Sequence, residues 1–289
     1  MSLRLLCVHP HPDDESIACG GLIVRSVRAG HDVTVVTCTD GAEGENQAGI
    51  ELGGREMADV RHDEMADAII ALGAPRHRWL GYRDSGMAGE PANDHPDAFH
   101  GAELDEAAAR LAAMIRELRP HVVVSDDEHG TYGHPDHIKA HLVTNRALEL
   151  AADPAVAVAV GGEAWQVAKR YVHTLSRERL LDVHRTLRGA GLESPFGDAD
   201  FASADEVPFG ADGATVTATV DVMDVLDAKR AGMAAHRSQI GEDSFFLNTP
   251  PELGPGMFGV EDFQLLFGDA EPGPDGLEDD VFAGLGGAA

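Results

Sequence analysis

Short apolar runs alternate with longer segments of helical spacing along the first half of this chain. Buried strands are predicted at residues 3–8, 32–39, 78–82 and 121–125. Helices are predicted at residues 16–29, 55–72 and 103–119, and a further helix after the last strand is expected to end at Leu150. The clearest helix, at 103–119, carries aliphatic side chains on one face and is stopped by Pro120. This alternation predicts an α/β fold with a Rossmann-like, mostly parallel, doubly wound sheet.

The second half of the chain has a less regular pattern. Strands are expected at 171–175, 215–220 and 263–267, helices at 177–187 and 222–237, and a polar loop at 189–213. We interpret residues 1–267 as one domain, with a Rossmann-like core at 1–152 and a part that completes the fold at 153–267. The acidic, Gly-rich segment 268–289 is expected to be disordered.

The chain is strongly acidic, and it contains very little lysine. Fifty acidic and 22 basic side chains give the 289 residues a net charge of −28, and lysine occurs only at positions 139, 169 and 229. Hydrophobic residues make up 43% of the sequence, which is enough for a packed core. So acidic a surface disfavours a nucleic-acid partner. It is typical of a protein kept soluble in concentrated salt, and we weigh a halophilic, haloarchaeal source equally against an acidic high-GC bacterial one.

The cysteines and the apolar runs indicate a compartment. Cys7 and Cys38 fall in predicted strands, Cys19 falls in a predicted helix, and no Cys-x-x-Cys pair occurs. We therefore expect small buried side chains in a reducing cytoplasm. The apolar run before His9 is too short for a signal peptide, and no stretch approaches the ~20 apolar residues that span a bilayer. The chain is thus expected to be cytoplasmic and to lack a membrane span.

The first polar cluster follows the first predicted strand directly. It reads His9-Pro10-His11-Pro12-Asp13-Asp14-Glu15, so imidazoles and carboxylates stand on the turn where open α/β sheets bind ligands. The two prolines stiffen this turn and delay the helix, because proline fixes φ and restricts the residue before it. Such side chains suit a divalent transition metal and leave a carboxylate free for acid–base chemistry.

A second polar cluster follows the predicted strand at 121–125. It runs from Asp126 to His137 and ends in Gly133-His134-Pro135-Asp136-His137. One helical turn places positions three apart, such as His134 and His137, on the same face. A catalytic zinc needs three protein ligands and an open position for water. Residues 9–15 and 134–137 offer four histidines and four acidic side chains for these three places, and Fe(II) fits the same donors.

Two other interpretations of these clusters are open. A single His-Pro-Asp sequence is most often a turn with a capping aspartate, but two of them, each at a strand end, are hard to explain as caps. The non-enzyme alternative is a nucleotide-binding or purely structural α/β protein. Against nucleotide binding, no Gly-x-Gly-x-x-Gly follows the first strand, and Gly20-Gly21 lies inside a predicted helix.

The two motifs together resemble those of the LmbE-like, or PIG-L, family of zinc-dependent N-deacetylases, which act on N-acetylglucosaminyl compounds. Three further elements also resemble the family. These are the acidic loop Cys38-Thr39-Asp40-Gly41-Ala42-Glu43-Gly44-Glu45, the Arg61-x-x-Glu64 pair, and Ala235-His236-Arg237-Ser238-Gln239. The likeness covers most of the chain.

The resemblance implies a role for each matching residue. The zinc ligands would be His11, Asp14 and His137, and Asp13 would be the general base. His134 would stabilise the developing oxyanion as an imidazolium, with the carboxylate of Asp136 orienting it, and Tyr132 would lie over the site. The sugar or its aglycone would be held by Arg61, Asp84 and Glu45. Spacing alone does not decide which of Asp13 and Asp14 is the metal ligand and which is the general base.

Two branches of the family differ in motifs that this chain contains. The loop Arg83-Asp84-Ser85-Gly86-Met87-Ala88-Gly89 and the run from Tyr132 to His137 resemble the mycothiol-pathway N-acetylglucosaminyl-inositol deacetylases. The mycothiol-conjugate amidases tend to have lysine at the place of Cys19 and proline at that of Gly133. The resemblance therefore implies an N-deacetylase of an N-acetylated amino-sugar small molecule, with an amidase of thiol S-conjugates as the alternative. The aglycone, the metal and the oligomeric state stay open.

Overall fold

Seven strands form a single sheet in the part of the chain that the structure describes. The structure is a computed structural model, and it describes residues 2–73, 76–156, 161–250, 253 and 258–286. The sheet order is β3-β2-β1-β4-β5-β7-β6. Neighbouring strands from β3 to β5 are parallel, whereas β7 runs antiparallel to β5 and β6. The strands are β1 Arg4–His9, β2 Asp32–Thr39, β3 Arg76–Tyr82, β4 Val122–Ser125, β5 Lys169–Thr174, β6 Ala218–Asp221 and β7 Val260–Phe267.

Helices cover both faces of this sheet. They are α1 Asp14–Arg28, α2 Met57–Ala71, α3 Leu104–Leu118, the single turn α4 Gly130–Gly133, α5 Pro135–Ala152, α6 Arg177–Gly189 and α7 Leu226–Ala235. Side chains alternate along β1, so Leu5 and Cys7 join a core with α1, while Leu6 and Val8 join a core with α3 and α5. The predicted doubly wound, mostly parallel α/β fold is confirmed, and the domain boundaries stay a prediction.

Two predicted elements near the end of the chain are shorter in the structure. The strand expected from Thr215 begins at Ala218, because Gly213–Thr215 forms a 3₁₀ turn. Asp212 caps this turn by accepting a hydrogen bond from the backbone N–H of Ala214 at 2.9 Å. The helix expected from Val222 begins at Leu226, after the 3₁₀ turn Met223–Val225.

The acidic segment after β7 is partly packed in the structure, which differs from the disorder expected for residues 268–289. Glu278 is fully buried, and its carboxylate accepts hydrogen bonds from Lys169 Nζ at 2.6 Å and Tyr171 Oη at 2.5 Å. Phe282 and Val281 are buried in the core on the α1 side of the sheet. Composition alone does not predict this packing, because only a few apolar side chains and one buried carboxylate anchor an otherwise polar segment. Residues 287–289 lie outside the described part.

A second buried lysine has a carboxylate of its own. Lys229 Nζ lies 2.7 Å from Glu261 Oε1, and both residues are at most 4% exposed. The same carboxylate accepts the backbone N–H groups of Gly21 and Leu22 in α1. The pair therefore ties α7 and β7 to the helix that follows β1. All three cysteines are buried and unpaired, as expected from the sequence. None of the described helices is long and apolar enough to cross a membrane.

Candidate active site

The loops that leave β1 and β4 meet at the carboxyl edge of the sheet. The two strands are hydrogen-bonded neighbours, with Cys7 opposite Val124. The His11 ring centroid therefore lies 4.6 Å from that of His134 and 5.2 Å from that of His137. The structure thus brings together the two clusters that the sequence places at strand ends.

The carboxylate of Asp14 lies at metal-ligand spacing from a ring nitrogen of His11 and from one of His137. Asp14 Oδ2 lies 3.4 Å from His11 Nδ1 and 3.5 Å from His137 Nε2. Donors bound tetrahedrally to zinc at its usual bond lengths are about 3.4 Å apart. His137 Nε2 is buried and has no hydrogen-bond partner among the described residues. A buried acceptor without a partner is costly, so this nitrogen fits a bound cation.

A buried carboxylate fixes the orientation of His137. Asp126 Oδ1 lies 2.6 Å from His137 Nδ1 and 3.0 Å from His173 Nε2. Burial disfavours ionisation of Asp126, but the neighbouring His137 and His173 hold the pKa of this carboxyl well below its usual value. With Nδ1 engaged by Asp126, Nε2 of His137 is left on the side of Asp14, 3.5 Å from its Oδ2. This carboxylate–histidine pairing is typical of metal ligands.

Two further carboxylates contact the other nitrogen of His11. His11 Nε2 lies 3.4 Å from Asp84 Oδ1 and 3.3 Å from Asp136 Oδ2. Asp84 is buried and also accepts the backbone N–H of Gly86, while Asp136 accepts both the N–H and the hydroxyl of Ser85. Both carboxylates therefore orient His11 and leave Nδ1 towards Asp14.

These contacts correct two roles that the resemblance implies. Asp84 lies behind His11 with both oxygens engaged, so the structure does not offer it as a sugar contact. The carboxylate of Asp136 does not orient His134. Asp136 lies in the first turn of α5, where its backbone N–H donates to His134 Nδ1 at 3.1 Å and its side chain reaches back to Ser85.

His134 is neutral in this arrangement. Its Nδ1 accepts the backbone hydrogen bond, so the proton of the neutral ring is on Nε2. Burial and the nearby His11 and His137 lower the pKa of His134 to about 4. His134 is thus a neutral N–H donor beside the three candidate ligands, where the sequence analysis expected an imidazolium.

Asp13 has an unusual backbone and a perturbed carboxyl group. Its φ of 124° and ψ of −32° lie outside the regions that side chains normally allow. Burial raises the pKa of Asp13 to about 6, and the Arg61 guanidinium, 3.1 Å away, opposes this shift. A carboxyl group that titrates near neutral pH suits general acid–base chemistry.

The remaining predicted residues differ in how close they lie to the candidate ligands. Arg61 is buried and donates to the carbonyl of Gly41 at 3.0 Å and to Asp13, so its expected place against the sugar is not seen. Tyr132 is 49% exposed, and its ring lies 5.2 Å from that of His137, over the candidate metal site. Glu45 is exposed on the loop after β2.

Several site residues received no role from the sequence. Asp126 stands directly after a predicted strand, and that position was a usable signal. Ser85 lies in a loop that resembled the family, but nothing pointed to its bonds with Asp136. His173 gives no signal, because its contact with Asp126 depends on β4 and β5 being neighbours.

Comparisons with known proteins agree with this site. Residues 6–148 match the family model of the PIG-L GlcNAc-PI de-N-acetylases. The 1D-myo-inositol 2-acetamido-2-deoxy-α-D-glucopyranoside deacetylase 1 of Catenulispora acidiphila is 46% identical over 98% of this chain and 90% of its own length. The corresponding deacetylase of Geodermatophilus obscurus is 46% identical over 99% of both chains.

Solved structures share the fold. The N,N'-diacetylchitobiose deacetylase of Pyrococcus horikoshii has a TM-score of 0.62 and 21% identity, over 91% of this chain and 83% of that one. The 4-carboxy-2-hydroxymuconate hydratase GalB of Pseudomonas putida has a TM-score of 0.60 and 19% identity, over 94% and 99%. The two activities differ, so this likeness speaks for the fold alone.

Proposed function

Because the chain belongs to the PIG-L family of N-deacetylases, we propose that it is a zinc-dependent hydrolase that removes the N-acetyl group from an N-acetylglucosaminyl small molecule. The observation that carries this proposal is the group of His11, Asp14 and His137 at metal-ligand spacing, with Asp13 adjacent. Ligands from nitrogen and oxygen donors suit zinc, and Fe(II) is the alternative metal.

The proposed substrate is 1D-myo-inositol 2-acetamido-2-deoxy-α-D-glucopyranoside. It is supported by the names of relatives that are 46% identical to this chain over nearly its whole length. The neutral amino-sugar amide also fits the strongly acidic protein better than an anionic ligand would. Tyr132 and Glu45, which are exposed, are proposed to contact the sugar or its inositol.

In the proposed mechanism His11, Asp14 and His137 hold the metal. When bound, zinc supplies a Lewis acid that polarises the acetamide carbonyl and lowers the pKa of water to about 7. The buried carboxylates of Asp126, Asp84 and Asp136 keep the imidazole ligands in the required orientation.

Two residues would handle the proton and the developing charge. The carboxylate of Asp13 accepts a proton from the attacking water and returns it to the amine that leaves, so acetate and a free amino sugar are the products. His134 donates its Nε2–H to the oxygen that becomes negative in the transition state. Because Nδ1 of the neutral His134 ring already accepts a backbone hydrogen bond, His134 does not compete with Asp13 for the proton of the attacking water.

Acetate release from a panel of amides tests the proposal. We expect the purified zinc-loaded protein to release acetate from the GlcNAc–inositol compound faster than from free N-acetylglucosamine. A mycothiol S-conjugate serves as the second substrate, since cleavage of its cysteinyl amide would instead support the amidase alternative. No turnover of either compound by a chain that holds one zinc ion would contradict the proposal.

The three buried free cysteines support a cytoplasmic location for this activity, because thiols stay reduced there. Cell fractionation followed by the acetate assay on each fraction tests that location. Activity confined to the membrane or extracellular fraction would contradict it.

A further inference from the structure

The backbone of Asp13 is held in a conformation that it would not adopt freely. Its positive φ of 124° disfavours a residue with a side chain. The residue is also the N-cap of α1, and its carbonyl accepts the N–H groups of Ser16 and Ile17 at 3.0 and 3.1 Å. Strain of this kind persists only where the surroundings impose it. The contacts of Asp13 therefore identify the groups that impose it.

Glu15 provides one of these contacts. Its Oε2 accepts the backbone N–H of Asp13 at 3.0 Å, and the whole side chain is fully buried. Its other oxygen accepts the Ser16 hydroxyl at 2.5 Å and lies 2.8 Å from His236 Nε2. All the described partners of the Glu15 carboxylate are thus donors that keep it in one place. Since the mechanism needs no proton from Glu15, its burial has another reason.

His236 reaches Glu15 from the opposite end of the chain. It follows α7 directly and is fully buried, so its ring is fixed between that helix and α1. Two residues further on, the backbone N–H and the hydroxyl of Ser238 both donate to Glu64 at 2.7 Å. Glu64 and Arg61 lie one turn apart on α2, and Arg61 is the residue that contacts the Asp13 carboxylate. The turn after α7 is thereby anchored to the same helix.

We propose that Glu15 and His236 are positioning residues, which hold the backbone of Asp13 so that its carboxylate faces the reacting water. Arg61 fixes the carboxylate itself, and the Glu15–His236 pair fixes the peptide group that carries it. The proposal rests on the proposed role of Asp13 as general base. It also explains why a segment more than two hundred residues away in sequence belongs to the site.

A double-mutant cycle tests the coupling between His236 and Asp13. We expect His236→Ala to lower kcat by about 10- to 100-fold, because a shift of about 1 Å in a catalytic group costs up to about 10²-fold. KM and a zinc content of one ion per chain should not change, since no metal ligand is touched. In an Asp13→Asn background the same substitution should cause no further loss of kcat, because both changes remove one function.

Two further variants test whether the loss of kcat comes from the contact with Glu15 or from a general loss of stability. His236→Gln keeps an N–H donor for Glu15 and should recover most of the lost kcat. His184→Ala is the matched control, because His184 is also buried and is bonded to Ser194 and Ala199 in a different part of the protein. It should lower the melting temperature and leave kcat of the folded enzyme unchanged. If His236→Ala does not fold, His236→Asn, whose amide is too short to reach Glu15, takes its place.

The outcomes separate the two proposals. A His236→Ala loss that multiplies with the Asp13→Asn loss, or a loss that appears in zinc content, would overturn the positioning role and leave the deacetylase proposal standing. Full activity of Asp13→Asn would instead remove Asp13 as the base, and with it the premise of this inference.

Discussion

The buried contact between Lys169 and Glu278 allows a quantitative test of whether the acidic segment after β7 is part of the fold. Lys169 is 1% exposed and Glu278 is fully buried, with 2.6 Å between Nζ and Oε1. The substitution Glu278→Ala leaves an ammonium group in the core without its partner, and it also removes the acceptor of the Tyr171 hydroxyl. It alters no residue of the candidate active site.

The expected loss follows from the burial of the pair. Removing one partner of a buried ion pair typically costs about 3–5 kcal/mol of unfolding free energy, because the remaining charge is desolvated without compensation. At about 2 °C per kcal/mol for a chain of this size, the melting temperature should fall by about 6–10 °C. Urea unfolding followed by circular dichroism measures the free energy, and a thermal melt gives the temperature.

A surface pair provides the control. Glu163 lies 3.2 Å from Arg119, but its side chain is 87% exposed. Pairs of this kind contribute at most about 1 kcal/mol, so Glu163→Ala should shift the melting temperature by no more than about 2 °C. Equal and small effects of the two substitutions would refute the reasoning and favour the disorder that the composition of residues 268–289 predicts.

Four further predictions concern the site and the surface. His11→Ala, Asp14→Ala and His137→Ala should each lose zinc and activity together, as measured by elemental analysis and acetate release, and a variant that kept both would not be a ligand. Asp13→Asn should retain zinc and lose about 10²–10⁴-fold in turnover, whereas loss of the metal would show that it is a ligand instead. Asp126→Asn should weaken zinc affinity by about 10- to 100-fold in a chelator competition, because a neutral amide replaces the carboxylate that contacts His137 Nδ1. Unchanged affinity would contradict that role. Given the net charge of −28, the melting temperature should rise between dilute buffer and molar KCl, where the Debye length falls to about 3 Å, and a flat profile would exclude the halophile hypothesis.

The sequence predicted those features that depend on local pattern. The strands and helices of the first half appear within a few residues of their expected bounds, because each has a clear period and a clear stop such as Pro120. The two His-Pro-Asp clusters could be assigned to one crevice because parallel strands end at the same edge of a sheet. The partners of Asp84, Asp136 and His236 could not be predicted. Each depends on a contact between segments far apart in sequence, which no local spacing encodes.

Because two of the three lysines are buried, the number of lysines that react with a reagent can be used to follow unfolding. Lys169 and Lys229 are 1% and 2% exposed, and only Lys139 is partly accessible, with its amine near the carbonyl of Ala102. An amine-directed acylating reagent should therefore modify one lysine in the native state and three in the unfolded chain, a difference that intact-mass spectrometry resolves molecule by molecule. Because the two shielded amines belong to β5 and α7, the order in which they become reactive also reports which of these two elements opens first.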